Sequence, residues 1–237
     1  MKKIILISGA SKNLGYFLGN YFGNKNYSII NLSRNVDKKN RFNNFKCNLE
    51  NEDEIKNILK VIKKKFSKID LILSCAGNSR KKFSKLEKKK DFEKSFDDNF
   101  YSFVNLISSY TDVYKFKPTK IIAISSIAGH KITQAPITYS VAKSALNFYS
   151  KYKAKDLAKY NISLNIISPG NILQSNNNWD KKIKKNKIKT LKYIKKNVPM
   201  NKFCKPEDIA ELVNHIITSK NNITTGSNFI IDGGESL

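Results

Sequence analysis

The sequence is poor in cysteine, histidine and arginine, and each shortage closes off a class of protein. Its three cysteines, Cys47, Cys75 and Cys204, are widely scattered, and the only histidines are His130 and His215. Neither a disulfide framework nor a zinc site of ordinary spacing can be assembled from them, so no metal is expected. All but three of the 44 basic residues are lysine, the exceptions being Arg34, Arg41 and Arg80. Arginine is the side chain preferred for base edges and bidentate phosphate contacts. A net charge of +25 so short of it points to a solvated lysine surface, and no nucleic-acid partner is expected. Long apolar runs are missing too. The opening stretch to Ile7 is interrupted by Ser8 and Gly9 too early for a signal peptide, and nothing approaches membrane-spanning length. A cytoplasmic protein without membrane contact is expected.

What is there fits one folded domain. With 237 residues and 40% apolar content the chain can bury an ample core, with no room for a second domain of ordinary size. Short aliphatic runs at 2–8, 27–32, 45–49, 69–73, 121–124, 162–168 and 228–231 read as strands, most of them the continuous kind found in buried parallel sheets. Between them, 14–22, 52–66, 92–114, 139–160 and 205–217 carry helical spacing. Strands alternating with helices predict a doubly wound α/β domain over 1–237, with a parallel seven-stranded sheet and helices on both faces. Residues 81–90 are strongly charged and read as a solvated connection.

Two stretches carry chemistry. The first strand runs straight into Gly9-Ala10-Ser11-Lys12-Asn13-Leu14-Gly15 and then into a helix. Strand, glycine turn and helix start together aim backbone N–H groups at a pyrophosphate. The second stretch follows the strand at 121–124. Ser126 leaves the strand's carboxyl end, where open α/β sheets bind ligands, and thirteen residues on come Tyr139 and Lys143. Four apart on a helix, they share one face, so the ammonium can act on the phenol and lower its pKa toward neutrality. Two other tyrosines, Tyr21 and Tyr149, also precede a lysine by four, but neither has the serines upstream. The second strand ends in Ser33-Arg34 with no carboxylate, a pattern that suits the 2′-phosphate of NADP over the ribose hydroxyls of NAD.

These motifs, in this order over essentially the whole chain, resemble the short-chain dehydrogenase/reductase superfamily. The turn is similar to its T-G-x-x-x-G-x-G, with Ser8 for threonine and Asn13 for the middle glycine. Asparagine is the non-glycine residue that best tolerates a left-handed backbone. The resemblance implies that Gly9, Ser11, Lys12, Asn13, Leu14 and Gly15 hold the cofactor's phosphates, with Lys12 a second cation for NADP. It also implies that Ser33, Arg34 and Asn48 meet the adenosine, and that Ala76 and Gly77 of Ser74-Cys75-Ala76-Gly77 line the cleft. Pro169, Gly170 and Ile172 would abut the nicotinamide, and Gln174 stands where the family often has a threonine. The implied chemistry is reversible hydride transfer between NADP(H) and a carbonyl or secondary alcohol. Ser126 holds the carbonyl oxygen, Tyr139 donates the proton, Lys143 binds ribose and tunes Tyr139, and Asn99, in a locally disturbed helix, links Lys143 to solvent. The resemblance further implies that the two long helices, 92–114 and 139–160, pack against their copies in a homodimer, commonly within a homotetramer.

Asn176 to Met200 departs most from the family and falls where its members carry a lid, around 175–200. Trp179, Ile183, Leu191 and Ile194 are interleaved with nine lysines. A cationic lid suits an anionic substrate: an acyl group on a phosphopantetheine carrier, a coenzyme A ester or a nucleotide sugar. A 3-oxoacyl-carrier-protein reductase and a reductase of polysaccharide sugars both fit. The departures at Asn13, Ser74 and Cys75 leave open a non-catalytic NADP-binding regulator, against which the intact Ser126, Tyr139 and Lys143 stand.

Overall fold

In the computed structural model, which describes residues 2–36, 40–79, 86–175, 177–220 and 223–237, the aliphatic runs become β1 (Ile4–Ser8), β2 (Ser28–Ser33), β3 (Asn43–Lys46), β4 (Leu71–Ser74), β5 (Lys120–Ile124), β6 (Ser163–Pro169) and β7 (Asn228–Ile231). They form one seven-stranded sheet in the order β3-β2-β1-β4-β5-β6-β7, every neighbouring pair parallel. The chain walks outward from β1 to β3 and returns to place β4 on the other side of β1. That reversal opens a crevice at the strands' carboxyl ends.

Alternate strand residues feed two cores. Leu6, Ile30, Ile72, Ile121 and Leu164 pack under α2 (Glu52–Lys65), α4 (Ser102–Tyr114) and α5 (Ile137–Ala158). Ile5, Ile7, Ile29, Leu73 and Ile122 pack under α1 (Asn13–Asn24) and α8 (Pro206–Thr218). Asn51 caps α2 by accepting from the Glu54 N–H at 3.0 Å, with three acids in the first turn and three lysines in the last, both suited to the helix dipole.

Three expectations shift. The third strand is Asn43–Lys46, not 45–49, because this edge strand is asparagine-rich and its amides are satisfied sideways: Asn31 donates to Asn44 at 2.8 Å and Asn43 donates to the Ile29 carbonyl at 3.1 Å. The helix expected over 92–114 is α3 (Lys89–Phe96), a π-helical turn (Asp97–Tyr101) and α4. The lid is two helices, α6 (Asn178–Lys185) and α7 (Lys187–Asn197), each started by an asparagine cap, Asn177 and Asn186. Residues 81–85 of the charged connection, and Asn176 of the lid, lie outside the described residues. Among the described residues no helix is long and apolar enough to cross a membrane.

Candidate active site

The crevice is a cleft of about 390 Å³. Gly9, Ser11, Lys12, Asn13, Leu14 and Gly15 form one wall, Ser33, Arg34 and Asn48 one end, and Ala76, Gly77, Tyr139, Lys143, Pro169, Gly170 and Ile172 the rest. Every residue named from the sequence for the dinucleotide therefore lines it. Gln174 does not.

The turn is built for close approach. Gly9 sits at φ +82°, and a Cβ there would come within 3.0 Å of the Ala76 backbone; a Cβ on Gly15 would run into the Gly9 carbonyl. Asn13 takes φ +50°, the left-handed conformation expected of it. Lys12, at the N-cap, has no side-chain oxygen to offer, so no side-chain cap occupies the first N–H groups of α1, which remain available to phosphate oxygens. The Ser125 hydroxyl, buried in the cleft wall, has no partner among the described residues. This cradle fits a dinucleotide.

At the inner end, Tyr139 on the first turn of α5 is half-buried and hydrogen-bonded by the Ser126 hydroxyl. Ser126 in turn accepts from the Ala128 N–H at 3.2 Å, which fixes its rotamer. Lys143 lies one helical turn on, buried, its ammonium 5.7 Å from the Tyr139 ring centroid and donating to the Ile124 carbonyl at 3.0 Å. Desolvation pushes the Tyr139 phenol above its ordinary value, with the Ser126 hydrogen bond opposing. Burial pushes Lys143 down to about 8. The expected lowering of the phenol's pKa by Lys143 is therefore not met: the ammonium is itself desolvated and bonded to a carbonyl, and the Ser126 hydroxyl is what favours the phenolate.

Asn99 lies in the π-helical turn, buried behind the wall. It donates to the Ser95 carbonyl at 3.0 Å and to the Asn78 carbonyl at 3.1 Å, and accepts from the Asn78 N–H at 2.9 Å. Gly77 lets it and Lys143 approach: a Cβ there would meet Asn99 Oδ1 at 2.9 Å and Lys143 Nζ at 3.4 Å. The disturbance expected in this helix is present at Asp97–Tyr101.

A second cavity of about 840 Å³ opens beside the first. Ser126, Tyr139, Gly170 and Ile172 line both. Its outer wall is the lid, through Trp179, Lys181, Lys182, Lys185 and Tyr193, and its floor includes Asn171 and Glu235.

A scan of family models matches residues 20–236 to the family described as enoyl-(acyl carrier protein) reductase. The chain belongs to the short-chain dehydrogenase/reductase superfamily. It is 27% identical to the 3-oxoacyl-[acyl-carrier-protein] reductase FabG of Buchnera aphidicola from Acyrthosiphon pisum, over 98% of this chain and 97% of the relative. The structure of ElxO with NADP bound superposes with a TM-score of 0.88 at 25% identity, over 99% of each chain. A short-chain dehydrogenase from Leptospira borgpetersenii with bound NAD+ superposes at 0.86 and 25% identity, over 100% of this chain and 94% of that one. With the superfamily comes the coarse assignment: an oxidoreductase acting between carbonyl and alcohol with a nicotinamide dinucleotide.

Several site residues of this short-chain dehydrogenase/reductase are invisible to motif reading. Arg34 does not stand alone at its end of the cleft; it pairs with Glu50 at 3.6 Å and Asp98 at 3.7 Å, and Lys94 bridges the same two acids at 2.6 and 3.7 Å. Glu50, Asp97 and Asp98 line the cleft. Burial pushes Asp97 upward, with the neighbouring acids adding to it. The order of these acids in the chain was there to read, but the meeting of Glu50 and Asp98 on Arg34 is set by the loop before α2, the π-helical turn and the end of β2 together. The three thiols, each pushed up to about 12 by burial, are chemically quiet at neutral pH.

Proposed function

We propose that this protein is an NADP(H)-dependent reductase of an anionic carbonyl compound, working through Ser126, Tyr139, Lys143 and Asn99. One observation carries the reading: the Ser126–Tyr139 pair lines both the dinucleotide cleft and the neighbouring cavity, where a carbonyl could meet a nicotinamide.

Bound in the cleft, the cofactor would supply the hydride. The chain's residues do the rest. Gly9 to Gly15 hold phosphates through backbone N–H groups, and Pro169, Gly170 and Ile172 back the inner end. Ser126 donates a hydrogen bond to the carbonyl oxygen, and Tyr139, kept protonated at neutral pH, gives it a proton. The phenolate left behind takes the Ser126 hydrogen bond once the product alcohol has moved off, and the Lys143 ammonium, charged below about pH 8, would hold the cofactor's ribose. Asn99, fixed by Asn78 and Ser95, steadies the lysine's side of the site. The lid lysines Lys181, Lys182 and Lys185 favour an anionic substrate at the cavity wall. A stripe of exposed apolar residues on α5, Ile137, Val141, Phe148 and Tyr152, supports a homodimer through that helix. The test is NADPH oxidation over a panel of neutral and anionic carbonyls, carrier-linked acyl groups and nucleotide sugars included. Turnover of an anionic member supports the reading, and silence across the panel removes it.

Two results follow from this geometry. Reduction should fall above about pH 8, because Lys143 loses its proton there. A pH profile of kcat/KM reports such free-enzyme groups, and a flat profile to alkaline pH would mean the ammonium is not needed. At the other end of the cleft, Arg34 must trade Glu50 and Asp98 for the 2′-phosphate. Arg34→Ala should weaken NADPH binding by roughly 10- to 100-fold, the worth of a charge-assisted hydrogen bond, and leave NADH nearly unchanged. Glu50→Gln should tighten NADPH. Titration of both cofactors decides it, and equal losses for the two would remove the NADP assignment.

A further inference from the structure

One buried carboxylate outside the catalytic set gathers an unusual number of donors. Glu235 follows β7 in a turn closed by Asp232, which accepts from the Gly234 N–H at 2.9 Å and the Ser236 N–H at 2.7 Å. Its side chain points into the floor of the second cavity. Oε2 accepts from the Asn171 N–H at 3.2 Å; Oε1 accepts from the Asn171 amide at 2.5 Å and from the Tyr193 hydroxyl at 3.5 Å. Asn171 passes the connection on, for its Oδ1 accepts from the Trp179 indole at 2.8 Å. Gly170 leaves room: a Cβ there would stand 3.0 Å from Glu235 Oε2.

Trp179 belongs to α6 and Tyr193 to α7, so both lid helices end, by hydrogen bonds, on the same carboxylate. Their rings pack with Phe203, at centroid distances of 5.0 Å between Trp179 and Tyr193 and 4.6 Å between Trp179 and Phe203. No residue of α6 is buried, so the helix leans on these contacts. Burial pushes the Glu235 carboxyl above its ordinary value while the Asn171 N–H pulls it back. Glutamine would fit the same space but has one acceptor oxygen, and its amide N–H groups would face donors.

We propose that Glu235 is a positioning residue that sets the lid over the substrate cavity, through Asn171 to Trp179 and directly to Tyr193. The role assigned to the cavity rests on the reductase reading; the contacts do not, and neither does their test. Trp179 is the chain's sole tryptophan, so its fluorescence reports the lid without any turnover. Glu235→Gln should shift the emission to longer wavelength and steepen acrylamide quenching, while NADPH binding and far-UV circular dichroism stay as in the wild type. Adding Asn171→Asp reverses the polarity of the amide pair, lets the new glutamine side chain donate to the new carboxylate, and should restore the wild-type emission. With a substrate in hand, the single variant should raise KM severalfold and change kcat little. Unaltered emission in Glu235→Gln overturns the proposal, as does an altered emission that comes with lost NADPH binding and is not restored by the second change. If Glu235→Gln does not fold, Asn171→Ala removes the relay alone and is expected to free Trp179; wild-type quenching in that variant overturns the proposal equally.

Discussion

Replacing Tyr139 by phenylalanine is expected to lower kcat by about 10²- to 10⁴-fold, the contribution of a positioned general acid, and to leave NADPH affinity nearly unchanged. The substitution removes one oxygen. The ring stays under the Lys143 ammonium, 5.7 Å from it, and Ser126 keeps its bond from the Ala128 N–H. Nothing in the glycine turn is touched. Stopped-flow turnover set beside a binding titration separates the two quantities. Substantial residual turnover would place the acid elsewhere, and a parallel loss of cofactor binding would mean that the phenol is a wall of the cleft and no more.

Lys143→Met should also abolish reduction, yet it is expected to make the fold more stable. Burial lowers the folded pKa of Lys143 from 10.5 to about 8. A gap of that size corresponds to roughly 3 kcal/mol held against the charged form. The sign is fixed by proton counts: between the two values the unfolded chain binds more protons than the fold, so wild-type stability attributable to this group rises with pH over that window. At pH 7 the penalty is present in full. Methionine fills the same space without it, at the cost of leaving the Ile124 carbonyl without its 3.0 Å donor, about 1–3 kcal/mol. A net gain of about 1 kcal/mol at pH 7 is expected, turning into a net loss of about 1 kcal/mol by pH 10, where the penalty is nearly gone and the lost donor remains. Urea melts of both proteins at the two pH values test this. A variant less stable at pH 7 by an amount that does not change with pH would show that the ammonium is not strained by its burial. The same comparison locates a functional cost: a lysine is kept where the fold would be better served by an apolar side chain.

Much of the architecture could be read from residue order because buried parallel strands are written as aliphatic runs, and β1, β4 and β5 have little else in them. The edge strand β3 was expected two residues late because Asn43 and Asn44 carry no such mark and depend on sideways amide bonds to β2. The left-handed Asn13 was legible, since one residue's backbone preference decides it. The direction of the Tyr139 shift was not, because spacing brings an ammonium near but says nothing of desolvation or of the Ile124 carbonyl. Nor could Arg34's pairing with Glu50 and Asp98, or the gathering of Asn171, Tyr193 and Trp179 on Glu235, be inferred. Each joins residues far apart in the chain, placed by the packing of several elements and not by any local pattern.

Transfer of label from NADPH deuterated at the transferring position to the carbinol carbon of a product is the most direct test of the whole account. The wild type should place deuterium on that carbon with a carbonyl from the panel, and Tyr139→Phe should bind the same cofactor and place almost none. Label appearing at full rate in the phenylalanine variant, or a wild type that binds NADPH and transfers nothing to any carbonyl, would contradict it.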